Sequence, residues 1–126
     1  MRRDPRGFTI IELLIVVVII GILATIAIPK FANTKERAYI SSMKADLRNL
    51  VTAEEAYLAE FFTYSSNLGA AFSSSAGVTV AMQSVSASGW AATATHTGTA
   101  RACAIFYGNV GSPPAPATQE GRPTCI

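Results

Sequence analysis

The chain has 126 residues, 10 of them Lys or Arg and 8 Asp or Glu, for a formal net charge of +2. With 50% of its residues hydrophobic and 14% charged, it is no disordered polyelectrolyte, and it has no broad basic surface for nucleic acid. One His and two Cys are too few for a four-ligand structural zinc site.

Residues 1–7 read MRRDPRG, a stub with Arg2, Arg3 and Arg6 against Asp4. The 21 residues from Phe8 to Ile28 then hold a single charge, Glu12. As a helix this run is about 31 Å long, the thickness of one bilayer core. The basic stub in front of it predicts a cytoplasmic N-terminus. Lys30, Lys35 and Arg37 on the far side pull weakly the other way. A secretory signal has a shorter apolar core and a small-residue cut site, and no A-x-A pattern follows Ile28. A plain signal anchor fits the length but leaves Glu12 unexplained. A carboxylate inside an apolar helix costs about 2.5–3.5 kcal/mol on insertion scales. Glu12 therefore either lies near the interface or has a partner.

The segment Gly7-Phe8-Thr9-Ile10-Ile11-Glu12-Leu13-Leu14-Ile15-Val16 resembles the class III signal of type IV prepilins. The short leader and Phe8 resemble the type IVa subgroup, within a superfamily that also holds the pseudopilins. The strong resemblance covers residues 1–31, and a weaker one continues over residues 54–68. It implies that prepilin peptidase cuts between Gly7 and Phe8 on the cytoplasmic face and then methylates the Phe8 amine. Phe8 and Glu12 are one helical turn apart, so the new amine faces the carboxylate. In an apolar setting an unpaired ion is penalised by several kcal/mol, which favours pairing. The partner is either the subunit's own Glu12 or that of a neighbour, and the intermolecular choice gives each incoming subunit a register signal. Without the leader the chain keeps seven basic and seven acidic residues, a near-neutral balance that suits close packing of copies.

The helical pattern continues past the apolar run. Tyr39, Met43, Leu47, Leu50, Val51, Glu54, Tyr57, Leu58 and Phe61 recur at three- and four-residue steps, an amphipathic stripe for burial against a sheet. Glu54 is the exception on it, expected at the stripe's edge or against a neighbour. Pro29 leaves the Thr25 carbonyl without its helical donor, and Gly21 is a second weak point, so a kink is expected in a lone subunit. By the resemblance, Gly21 and Pro29 bracket the segment that unwinds in filaments of this family.

Residues 63–77 read as a loop anchored by Tyr64, Leu68 and Phe72. Strand-like runs follow at Val78–Ala87, Trp90–His96 and Thr99–Tyr107, separated by Ser88-Gly89 and Thr97-Gly98, which predicts an antiparallel meander. Residues 108–126 form an aperiodic tail with four of the six Pro and Cys125. Cys103 and Cys125 are expected to pair, since the exported side of the membrane is oxidising. Two free thiols or a redox pair are the alternatives, and the spacing is far from C-x-x-C. A C-terminal loop closed in this way resembles the disulfide-bounded region of pilins.

The expected fold is α+β. A long N-terminal helix, membrane-spanning in its first half and amphipathic in its second, packs on a small antiparallel sheet with a disulfide-closed C-terminal loop. The expected segments are a cleaved leader 1–7, a polymerisation helix 8–29, an amphipathic helix 30–62, a loop 63–77, a sheet 78–107 and a tail 108–126.

Residues 1–126 contain no Gly-rich phosphate loop, no G-x-S-x-G and no metal-ligand cluster. His96 reads as a surface residue beside a turn, and Glu54, Glu55 and Glu60 as a solvated face. No enzyme activity, cofactor, metal or direct nucleic-acid contact is expected. The leading expectation is a major pilin that starts in the inner membrane and polymerises with itself into an extracellular pilus for adhesion, motility or DNA uptake. Its expected partners are prepilin peptidase, the pilus assembly machinery and minor pilins. The alternative is a major pseudopilin of a type II secretion system, whose fibre is a short periplasmic piston. A membrane-anchored enzyme or binding domain would need a ligand cluster in residues 63–126.

Overall fold

The computed structural model describes residues 5–126. Arg2, Arg3 and Asp4 of the expected leader lie outside the described residues. Helix α1 runs over Ile10–Phe61, 52 residues, and the chain divides into a first unit ending at Lys35 and a second, Glu36–Ile126.

In the first unit the helix passes through Gly21 and Pro29 without interruption. The missing Pro29 donor therefore does not end the helix in the lone chain. Thr25 turns its hydroxyl to the Ile22 carbonyl at 2.7 Å. A Cβ added at Gly21 would meet nothing within 4 Å, so no packing in the lone subunit demands a glycine there. The large apolar side chains from Phe8 to Phe31 are exposed, and an 18-residue window of this helix reaches a mean hydropathy of 3.0 with none of it buried.

The second unit is a helix on a sheet. Met43, Asp46, Leu47, Leu50 and Glu54 are the buried residues of α1, spaced by three and four along one face. The sheet is an antiparallel meander in the order β1 (Val78–Gln83), β2 (Gly89–His96), β3 (Ala102–Gly108) and β4 (Thr124–Cys125). Alternation along the pleat puts Trp90, Ala92 and Ala94 of β2 on one face. Their cross-strand partners Tyr107, Ile105 and Cys103 share that face. These residues close with Met43, Leu47, Leu50 and Val78 into a single core.

The strand ends differ from the sequence reading for local reasons. β1 stops at Gln83 because Ser84 turns to a positive φ of 51°. Strand β3 begins at Ala102, since Thr99 donates its N–H to the His96 carbonyl in a turn and Arg101 reaches Glu36. The tail is not aperiodic throughout. Thr124 and Cys125 add the fourth strand against Ala104 and Cys103. Gly108 closes the approach of β3 to the β1–β2 side: its φ is +71°, and a Cβ there would run into the Ser88 carbonyl.

Candidate functional site

The N-terminal end of α1 carries the residues singled out by the sequence. The helix begins at Ile10, and Thr9 caps it. The Thr9 backbone N–H donates to Glu12 Oε2 at 2.8 Å, and the Glu12 N–H donates to Thr9 Oγ1 at 3.3 Å. This reciprocal pair is a capping box, T-x-x-E, which satisfies two of the orphan donors of the first turn. Glu12 therefore has a local partner before any new amine exists. The sequence pattern Thr9-Ile10-Ile11-Glu12 carries that signal, and the partner it supplies is a backbone amide one turn away rather than a cation. Arg6, Gly7, Phe8 and Glu12 line one shallow hollow, so the Gly7–Phe8 bond lies beside the carboxylate. Phe8 is 92% exposed, and a Cβ at Gly7 would meet nothing within 4 Å. Among the described residues nothing requires glycine at position 7.

Two buried carboxylates of α1 hold the loop that follows it. Asp46 accepts the Ser75 N–H at 2.7 Å and the Ser75 hydroxyl at 2.8 Å. Glu54, expected at the stripe's edge or against a neighbour, is instead fully buried within its own subunit. Its Oε2 accepts the Ser65 N–H at 3.0 Å, while Oε1 is buried with no partner among the described residues. Burial pushes the Glu54 carboxyl above its ordinary value, against the pull of the Ser65 bond. Next to it Tyr64 donates to Glu55 at 3.3 Å. Burial first, then the Glu55 charge, push the Tyr64 hydroxyl up to about 12. Neither Ser65 nor Ser75 stood out in a Ser-rich loop, because their role depends on helix residues 11 and 29 positions away.

At the other end of the sheet the β2–β3 turn is fixed to the helix. The His96 ring stacks on Tyr39 with centroids 4.0 Å apart, and its Nδ1 accepts the Gly98 N–H at 2.8 Å. Gly98 sits so close that a Cβ would lie 2.6 Å from the Tyr39 ring. Arg101 Nε reaches Glu36 at 3.1 Å, an exposed pair of the kind that contributes at most about 1 kcal/mol. His96 thus has a packing role. Cys103 and Cys125 form a disulfide with Cα atoms 4.0 Å apart, and no cysteine is free. Among the described residues no three His, Cys, Asp or Glu side chains gather as metal ligands.

The family model described as the prokaryotic N-terminal methylation motif matches residues 2–28. The chain is 38% identical over 101 residues to the type IV wide pilus major component PilA4 of Thermus thermophilus, covering 76% of this chain and 77% of that protein. The chain belongs to the type IV pilin family. This pilin is also similar to the type IV major pilin protein PilA of Myxococcus xanthus, 52% identical over 66 residues, which is 51% of this chain but 30% of that one. It is 37% identical over 65 residues to the type II secretion system core protein G of Pseudomonas aeruginosa, 52% of this chain and 46% of that protein. The pilin thus spans less than half the length of two of these three relatives.

Proposed function

We propose that this pilin is the major structural subunit of a type IV pilus. Peptidase cleavage between Gly7 and Phe8 releases the subunit's apolar helix for assembly, the Phe8 amine is methylated, and subunits polymerise through the first half of α1. The observation that carries this reading is the exposed apolar surface of α1 from Phe8 to Phe31 behind the methylation motif. Such a surface is stable in lipid or against copies of itself and not in water. Three Arg in front of it oppose entry into an apolar fibre core, so processing comes first. Glu12, capped by Thr9 and placed beside a new cation, supplies the charge pair in that core. Gly21 and Pro29 mark the segment of α1 that yields when helices crowd together, since neighbouring helices can satisfy the backbone groups it frees. The subunit resides in the inner membrane before assembly and in the surface fibre afterwards, with minor pilins and the assembly machinery as partners. Its role is mechanical and needs no catalytic group.

A secretion pseudopilin is the second reading, favoured by the similarity to core protein G. The similarity to PilA4 over three quarters of both chains favours the pilus. Electron microscopy of cells lacking the gene separates them. Loss of surface fibres supports the pilus. Fibres intact with a secretion defect would overturn it in favour of the pseudopilin.

A further inference from the structure

The 40 residues between Glu60 and Arg101 contain no Asp, Glu, Lys or Arg. They build the loop after α1, then β1 and β2. β1 is an outer strand of the sheet, paired with β2 at all six of its positions and, among the described residues, with no strand on its other side. The Val78 N–H is used by the Ser75 carbonyl at 3.0 Å, where the chain enters the strand. From Thr79 to Gln83 no further backbone partner is present among the described residues. Leu68 and Phe72 of the loop share a hollow with Val80 and Met82 on the core side, and leave Thr79, Ala81 and Gln83 exposed.

Natural sheets blunt such edges with Lys, Pro, a bulge or a covering segment. The strand VTVAMQ has none of these within it. The opposite edge is managed differently: β4 is two residues long and is tied to β3 by the disulfide. The sheet is therefore closed on one side and open on the other.

We propose that the outer edge of β1 is a homotypic seam that pairs with the same edge of a second copy of this chain. Several features single out a second copy. The strand and the stretch of chain from Phe61 to Ala100 carry no Asp, Glu, Lys or Arg, so like strands meet without repulsion from their own side chains. The β-branched, apolar and amide side chains of the strand match themselves across an antiparallel pair. The proposal rests on the fibre reading above, because a two-strand seam is weak alone and gains strength when an array repeats it. A same-edge pair is isologous, whereas subunits along one polar helical fibre meet through unlike surfaces. The seam therefore joins subunits of neighbouring fibres and produces lateral association.

The test uses fibres of the full chain, sheared from cells that carry wild type, Ala81→Lys or Ala81→Glu. Low-speed sedimentation and electron microscopy measure bundling, and total fibre yield is measured separately. Wild-type fibres should bundle. Each charged variant should give normal yield with roughly tenfold less fibre in bundles, since like charges repel at every repeat. Mixing Lys and Glu fibres should restore bundles. If Ala81→Lys blocks assembly, Gln83→Lys at the exposed strand end replaces it with the same expectation. Wild-type fibres that never bundle, or charged fibres that bundle like wild type, would overturn the seam. Absence of fibres from wild type would instead overturn the function on which it rests.

Discussion

Glu12 closes a capping box on Thr9 while the leader is still attached, with the Thr9 N–H 2.8 Å from its carboxylate. The carboxylate thus has one partner in the leader-bearing chain, a backbone amide that cleavage after Gly7 would leave in place, and on the proposed function it gains a second, the Phe8 amine. An amide in place of the carboxylate preserves the first and removes the second. Glu12→Gln should leave a membrane-inserted, processed subunit, because the Gln oxygen still accepts from Thr9. Fibre yield should fall as far as it does for Glu12→Val. Wild-type yield from Glu12→Gln would show that the cap, and not the charge, is what assembly needs.

The two halves of α1 should respond differently to truncation. Leu47 is fully buried in the core of the second unit, so Leu47→Ala should cost about 2–5 kcal/mol and lower the melting temperature of the detergent-solubilised subunit. Val17 is 59% exposed, so Val17→Ala should leave that melting temperature unchanged and act only on fibres. Circular dichroism melts of the two variants decide it. Equal destabilisation by both would mean that the apolar run packs within the subunit.

Glu54 makes the fold sensitive to pH in a definite direction. Burial raises its carboxyl in the folded state, so the fold holds the proton more tightly than the unfolded chain does. This term favours the fold below the unfolded carboxylate value of about 4.3. It is lost as pH rises through the raised folded value, and is flat above that. Glu54→Gln keeps an acceptor for Ser65 and removes the charge. It should raise the melting temperature at pH 7 by a few degrees and leave it little changed at pH 4. Melts of both proteins across that range, compared as a difference, isolate the group. A variant less stable than wild type at pH 7 would contradict the burial penalty.

The tail depends on its disulfide and on more than the disulfide. The Gly121 N–H donates to the Phe106 carbonyl at 2.8 Å, and the Gly108 N–H donates to Glu120 at 2.7 Å. In the chain-entropy model a closed loop of this kind is stabilised by roughly 3 kcal/mol. Alkylation of the exported subunit without reduction should add nothing, and should label both cysteines after reduction. The Cys103→Ser, Cys125→Ser double variant should lose its tail to a broad-specificity protease faster than wild type, with residues 36–108 surviving. Equal protection with and without the bond would assign the tail to its backbone pairing alone.

Residues whose structure follows from neighbours in sequence were legible in advance. The stripe from Met43 to Leu50 sets the helix face at 3.6-residue spacing, and Gly89 and Gly98 punctuate the meander. The four-strand order was only partly legible, because Thr124 and Cys125 are too short a run to show alternation. Their pairing with Ala104 and Cys103 is a long-range contact. Glu54 looked like a surface carboxylate because propensity and charge pattern carry no information about Ser65 folding back over it. The Thr9–Glu12 box was present in the sequence as T-x-x-E.

On the proposed function, residues 1–7 are removed before this chain enters a fibre through its exposed apolar helix. Intact-mass and N-terminal tandem mass spectrometry of subunits from sheared, washed surface fibres reads the removal at its product. The expected subunit begins at Phe8 and carries one methyl group on its amine. A fibre subunit that retains Met1 or any of the leader Arg residues would contradict the claim.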